Sequence, residues 1–153
     1  MGIFTPNWKS KDWQKRSEAV EKLTDQTILA EIAKSDEKSY VSEKAVEKIT
    51  DQPILVDVAK NTKHSNVGNI AVWELEDESM IADVAKNSKN WEVRYTATKQ
   101  LSDENFAQEM YADIAKNSDD NYSRFHSAIN LTDQTLAQEV LTDMAKNKEN
   151  NFV

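Results

Sequence analysis

The chain contains no cysteine, and only two glycines and two prolines occur among its 153 residues. The absence of cysteine excludes disulfides, thiolate metal sites and cysteine nucleophiles. A sheet protein with many tight turns needs more glycine and proline than this, so their scarcity favours helices. No apolar run is long enough for a signal peptide or a membrane span, and we therefore expect a soluble cytoplasmic protein.

Positive charge is also scarce, since 19 Lys and Arg stand against 27 Asp and Glu and the net charge is −8. Proteins that bind the phosphate backbone normally carry a basic surface, so this balance argues against nucleic acid as a partner. The fractions of hydrophobic (39%) and charged (30%) residues are those of a folded protein. The length suits one domain over residues 1–153.

One motif recurs along the chain at a nearly fixed period. It consists of Leu or Ile, then usually Thr or Ser, then Asp, then Gln or Glu, and each copy is followed by Ala-Lys at the end of the same segment. The copies begin at residues 23, 49, 75, 101 and 131, so the steps are 26, 26, 26 and 30 residues. Five copies at such a period indicate a stacked array of helical units.

Each copy predicts two helices. The motif begins a first helix, with Thr or Ser as the N-cap except in the third copy, where Glu76 is a poor cap and Asp77 is the candidate. An Asn after the Lys suits a left-handed C-terminal cap. A second helix then runs into the next motif, and its middle core position holds a small residue such as Ala45 or Ala71, which lets neighbouring helices approach closely. The second helices are predicted over 11–23, 39–49, 65–75, 91–101 and 121–131.

The two steps of 30 residues come from first helices that are about one turn longer. We expect an all-α chain of ten helices in five pairs, with no strand and with breaks near residues 24, 36, 50, 62, 76, 89, 102, 119 and 132.

The segment "WEVRYTA" at residues 91–97, preceded by Ala85-Lys86-Asn87, resembles the W-x-V-R-x-x-A stretch of short bacterial HEAT-like repeats, close to the variant leucine-rich repeat. The resemblance covers the chain from about residue 11 onward. It implies a right-handed α-solenoid of about five stacked helix pairs, with repeats of 26–30 residues. Arg16, Arg94 and Arg124 fill the family's Arg column, whereas Ser42 and Gly68 depart from it. The iron–sulfur member of the family uses Cys ligands, which are absent here.

We expect the two ends of the array to differ from the repeats between them. Residues 1–23 are assigned to an N-terminal cap and first helix, 24–147 to the repeats and 148–153 to a C-terminal tail. Phe4, Trp8 and Trp13 are expected to cover the open end of the first unit. The last helix, 134–147, has one neighbour, so we expect self-association through partly uncovered Leu136, Val140, Leu141 and Met144. Val153 stands where a further helix would begin, and a fragment of a longer array remains an alternative.

Catalytic chemistry is not visible in the sequence. His64 and His126 are the two histidines, and neither has a second ligand at metal spacing. Acid pairs such as Asp77/Glu78 and Asp119/Asp120 fall at helix caps and loops, where a structural role explains them. We therefore expect no enzyme, no metal site and no cofactor.

The second helices change character along the chain at the positions two and six residues before the next motif. Early copies are polar there, and later copies carry Trp73, Tyr95, Phe125 and Ile129. Two interpretations remain open: these side chains pack beneath the longer first helices, or they form an exposed binding stripe on the concave surface. In the second case the candidate partner-binding residues are Trp73, Tyr95, Phe125, Ile129, Arg94, Arg124 and His126.

The sequence therefore predicts a non-catalytic scaffold that binds a protein or peptide on its concave surface. The alternative is a nucleic-acid-binding or DNA-glycosylase-like protein, since the resemblance includes HEAT-like arrays that bind DNA and remove damaged bases. The arginines beside the aromatic residues favour that alternative, whereas the acidic charge opposes it.

Overall fold

The structure, a computed structural model, describes the backbone of residues 6–149 and the side chains of residues 6–147. Over this part the chain is helical throughout and contains no strand, as predicted. A short 3-10 helix, Asn7–Lys9, precedes ten α-helices. These are α1 (Trp13–Lys22), α2 (Gln26–Ser35), α3 (Ser39–Val46), α4 (Gln52–Asn61), α5 (Ser65–Trp73), α6 (Glu78–Asn87), α7 (Trp91–Thr98), α8 (Glu104–Asn117), α9 (Asn121–Ile129) and α10 (Gln134–Glu149).

The helices pack in pairs, and the pairs pack on one another. The tight pairs are α2 with α3, α4 with α5, α6 with α7, and α8 with α9, while α1 and α10 flank them. There are thus four tight pairs rather than the five predicted. Helices α1, α3, α5, α7 and α9 contact each other in sequence, and we call them the odd row. The even row comprises α2, α4, α6, α8 and α10, and close packing in it is interrupted between α6 and α8, because α8 packs on α7.

Each first helix begins with an Asp N-cap, so the prediction of a Thr or Ser cap is wrong by one residue, whereas the candidate named for the third copy, Asp77, is confirmed. The carboxylates of Asp25, Asp51, Asp77 and Asp103 accept hydrogen bonds from backbone N–H groups two or three residues further on, which satisfies donors that the helix leaves free. The second helices end one to three residues earlier than predicted. The reason is a tightened last turn, in which Ile49 donates its N–H to the carbonyl of Val46 at 3.0 Å.

The first helices do not end in a left-handed Asn. No non-glycine residue of the described chain has a positive φ, and the residue after the Asn is extended, as at Ser88 with φ −63° and ψ 140°. The amide of Asn87 instead donates to the carboxylate of Asp83 at 2.6 Å. Asp83 in turn pairs with Lys60 of the preceding unit at 2.9 Å. The Asn therefore orients a carboxylate that ties two units together.

In three units a Gln side chain bonds to the turn before the next first helix, and Glu78 accepts the equivalent N–H of Ser102 at 2.6 Å. Gln26 accepts the N–H of Thr50 at 2.8 Å and donates to the carbonyl of Lys48 at 3.1 Å. Gln52 and Gln108 make the same two bonds to residues 24 and 22 positions further on. Gln108 lies one helical turn deeper in its helix than the other two, so the longer α8 preserves the contact.

The small residues of the odd row lie at tight helix crossings. Ala45, Ala71 and Ala97 are fully buried, which confirms the predicted burial of the first two. Gly68 also allows a close approach of two helices, because a Cβ at this position would lie 2.4 Å from Cγ2 of Val93 on α7. The buried side chains form two clusters, one from Val20 to Met110 and the other from Tyr95 to Val140. Leu101 packs against both clusters.

The two ends of the helical array are covered to different extents. Trp8 packs against the first cluster, whereas Trp13 is exposed and its ring lies edge-on to Tyr40 at 6.2 Å. Phe4 and Val153 lie outside the described residues. On α10, Leu136, Leu141 and Met144 are half-buried, as expected. Val140 is buried instead, since it belongs to the second cluster.

Two core positions of α9 hold serine where the preceding units hold Val or Ala. Ser123 and Ser127 are completely buried, and neither hydroxyl has a hydrogen-bond partner among the described residues. The equally buried Ser42 is different, because its hydroxyl donates to the carbonyl of Ile32 at 3.1 Å. Burial of an unpaired hydroxyl opposes folding.

We predict that Ala71→Leu lowers the free energy of unfolding by about 1–3 kcal/mol, because the crossing has no room for three more carbons. Ala145→Leu is the control, since Ala145 is exposed on α10 and the same substitution should leave stability nearly unchanged there. Thermal and urea denaturation measure both. A wild-type melting temperature for Ala71→Leu would contradict the close approach.

Ser127 and Ser42 are both buried, but their replacement by alanine should change stability in opposite directions. Ser127→Ala should raise the free energy of unfolding by about 1 kcal/mol, because it removes a hydroxyl that is desolvated without compensation. Ser42→Ala should lower it by about 1 kcal/mol, because it removes a bonded one. Urea denaturation of the two variants tests the difference in sign, and equal losses in both would show that the Ser127 hydroxyl is paired in solution.

Candidate interaction surface

Exposed apolar side chains are concentrated on one side of the molecule. Six large ones are exposed among the described residues, and all six belong to helices of the odd row. Single exposed apolar residues are ordinary on protein surfaces, but their restriction to one row of helices marks a candidate site of interaction. The six are Trp13, Tyr40, Trp73, Tyr122, Phe125 and Ile129.

The odd row keeps a regular register, so side chains of successive units meet in a repeating way. Asn66 on α5 donates to Glu43 on α3, and Asn69 on α5 donates to Glu92 on α7 at 3.2 Å. Both contacts join residues 23 positions apart. Polar contacts at equivalent positions therefore connect α3, α5 and α7.

Between α7 and α9, the last two helices of the odd row, the equivalent contact is aromatic. Tyr95 on α7 meets Tyr122 on α9 with ring centroids 6.1 Å apart and the rings nearly perpendicular. Their separation of 27 residues is the usual 23 plus the four extra residues of α8. An edge-to-face pair of this kind is favourable beyond the area that it buries.

Tyr95, Tyr122, Phe125 and His126 together form what we call the aromatic cluster. The His126 ring lies 4.3 Å from Tyr122, 5.3 Å from Phe125 and 6.0 Å from Tyr95, measured between centroids. Tyr122, Phe125 and His126 share one face of α9 because helix positions three and four apart are neighbours. They line a groove of about 300 Å³ that Met144 of α10 closes on the far side.

The members of the cluster differ in exposure. Tyr95 lies at its base with 7% of its surface exposed, and it also touches the buried Tyr111 at 6.1 Å between centroids. Burial raises the pKa of both tyrosine hydroxyls. Phe125 is 43% exposed at the surface of the groove. The cluster is thus anchored in the second core and open on its outer side.

The two arginines of the candidate set hold helices together. Arg94 is buried, donates from Nε to the carbonyl of Ala85 at 2.8 Å and from Nη2 to Asp113 at 2.5 Å, and stacks on Trp91 at 4.6 Å. Arg124 repeats this pattern one unit later, with the carbonyl of Ala115 at 3.1 Å and Asp143 at 2.7 Å. Neither guanidinium is presented to a partner.

Arg16, the first residue of the same column, is also committed to the fold. Its Nε and Nη2 donate to the two carboxylate oxygens of Asp36 at 2.6 and 2.8 Å. Burial alone would raise the pKa of Asp36, but the hydrogen bonds from Arg16 and from the Lys38 backbone lower it below the ordinary value. The Arg column is therefore a set of ties between neighbouring helices.

The structure divides the candidate residues instead of joining them in one patch. Phe125 and His126 lie in the aromatic cluster, and Ile129 follows on the same helix with 52% of its surface exposed. Trp73 is 67% exposed on α5 and takes part in none of the aromatic contacts among the described residues. Arg94 and Tyr95 are buried.

Tyr122 belongs to the site but is absent from the candidate set. It occupies a position that is polar in the two preceding units, and the stripe predicted from the sequence covered two other positions of each helix. Its spacing of four residues from His126 is the signal that could have identified it, because such residues share a helix face.

Other kinds of site find no support in the described part of the chain. No group of three or more His, Asp or Glu residues there is arranged to hold a metal ion. Among the described helices, none is both long enough and apolar enough to cross a membrane. Comparison with protein-family models, with curated proteins and with solved structures finds no match to this chain.

Tyr95 is buried and Trp73 is largely exposed, so their substitution should affect stability very differently. Tyr95→Ala should lower the free energy of unfolding by about 3–5 kcal/mol, because it opens a cavity in the second core. Trp73→Ala should change it by no more than about 0.5 kcal/mol, because the side chain is largely in solvent. Thermal melts followed by circular dichroism compare the two, and a large loss for Trp73→Ala would place that side chain in a packed environment.

Proposed function

We propose that this protein is a non-catalytic interaction module that binds a protein or peptide through the odd row. The observation that carries the proposal is the restriction of all six exposed large apolar side chains of the described residues to that row. Trp and Tyr are typical anchors of binding hot spots because they bury a large area at low entropic cost. The aromatic cluster, with its open groove, is the part best suited to receive such an anchor.

The proposed architecture is a right-handed α-solenoid of the HEAT-like kind, with the odd row on its concave side. The repeat and the packing of successive units support the stacked arrangement. We infer the curvature from the packing of the two rows: α5, α7 and α9 remain in contact along the odd row, whereas α6 and α8 approach each other less closely in the even row. A stack that is more tightly packed on one side bends toward that side. Concave surfaces of such arrays commonly bind extended partners.

The nucleic-acid alternative has less support. Arg94 and Arg124 were the residues that favoured it, and their guanidinium groups are bonded to Asp113 and Asp143. The net charge of −8 opposes binding to phosphates as well.

The test is affinity capture from the source organism with matched surface variants. The first variant combines Trp73→Ala, Tyr122→Ala and Phe125→Ala on the odd row. The control changes three exposed polar residues of the even row in the same way, with Thr27→Ala, Asn105→Ala and Thr135→Ala. We expect specific proteins captured by the wild type to be lost with the first variant and retained with the control.

Melting curves of both triple variants accompany the capture, so that unfolding is not mistaken for loss of binding. Retention of every captured protein by the odd-row variant, at a melting temperature close to wild type, would contradict the proposed surface.

A further inference from the structure

The charge around the aromatic cluster is unlike that of the molecule as a whole. The chain carries a net charge of −8, and many of its carboxylates lie at the N-terminal caps of the first helices, as Asp51, Asp77 and Asp103 do. The helix that bears most of the cluster, α9, contains no carboxylate between Asn121 and Ile129. The groove is lined by aromatic, amide and thioether groups.

A lysine lies at the edge of this apolar surface. Lys99 is exposed, and its Nζ stands over the Tyr95 ring at 5.5 Å from the centroid. Like most described lysines it forms no ion pair, but it is the one among them whose Nζ lies over a ring of the aromatic cluster. Lys99 and the groove are continuous, because the same Tyr95 ring contacts Tyr122 and His126.

We propose that the partner of the odd row is a short peptide segment that places an apolar side chain in the α9 groove and an Asp or Glu beside Lys99. This inference rests on the proposed function and specifies the chemistry of its partner. The groove supplies the apolar contact, and the lysine supplies a complementary charge on the Tyr95 side of the aromatic cluster. Rim charges of this type select partners by sign and govern how binding responds to salt.

The charge distribution also disfavours the opposite kind of segment. A basic residue beside the Tyr95 ring would meet Lys99. The carboxylates of Asp120 and Asp143, which flank the groove, are engaged, since Asp120 accepts the N–H of Ser123 and Asp143 pairs with Arg124, each at 2.7 Å. An acidic residue in the partner therefore has an available counter-charge at Lys99, whereas a basic residue there would meet a like charge.

The experiment uses the full chain and a displayed library of random dodecapeptides. We expect the enriched peptides to share an aromatic or aliphatic residue close to Asp or Glu. One enriched peptide is then synthesised and titrated by fluorescence anisotropy against the wild type, Lys99→Glu, Phe125→Ala and a control, Lys86→Glu, which makes the same charge reversal at an exposed site on α6. Lys99→Glu and Phe125→Ala should each weaken binding about tenfold or more, and Lys86→Glu should leave it within about twofold of wild type.

The outcomes separate the inference from the function on which it rests. Enriched peptides without acidic residues, or equal affinity for Lys99→Glu and the wild type, would overturn the inference, and the proposed surface would stand if Phe125→Ala still weakened binding. Failure to enrich any peptide that depends on Phe125 would overturn both. The groove could instead be filled by a second copy of this chain, and sedimentation of the wild type and Phe125→Ala tests this. Self-association of the wild type that is lost in Phe125→Ala would overturn the inference of an acidic peptide segment.

Discussion

The structure depends on one constraint: a pair of short helices cannot bury its apolar face without neighbouring pairs. Helices α3 and α7 have eight residues each, and isolated helices of that length are unstable in water. Their stability comes from cores that run through successive units. The Gln and Asp contacts between units add little energy each, but they join residues at fixed separations and so set the register. The register in turn places Tyr95 beside Tyr122 and creates the aromatic cluster.

The acidic character of the chain follows largely from the same architecture. Asp25 and its equivalents cap helices, where the positive end of the helix dipole favours a carboxylate. Asp83 and Asp113 instead bind a cation of the preceding unit. These carboxylates thus cap helices or join neighbouring units, so much of the acidic charge has a structural role. The informative electrostatic feature is local, a lysine without a carboxylate partner among the described residues beside an apolar groove.

The all-helical arrangement of packed pairs was predictable from sequence because the apolar spacing repeats in every unit, and Ala45 and Ala71 are buried as that spacing required. The position of the caps was not, since Thr and Asp are both good N-caps and the choice depends on the tightened turn that ends the preceding helix. The candidate site was predicted only in part. Arg94 is buried and bonded to Asp113, 19 residues further on in another helix, and this contact was not read from the sequence, although Arg124 and Asp143 repeat the spacing. Tyr122 was missed because Asn66 and Glu92 occupy its position in the two preceding units, whereas Tyr40 on α3 occupies the same position.

The helices that pack together are close in sequence, and this affects how the chain folds during synthesis. Every closely packed helix pair joins elements that are adjacent or next but one, and the most distant hydrogen bonds of the described residues span 29 positions. Chains with such local contacts fold quickly, and units near the N-terminus can complete their packing while later ones are still being made. The groove on α9 includes Met144 of α10 and therefore forms only after that helix has been made. A nascent chain that ends before α10 would present the aromatic rings of α9 without the groove.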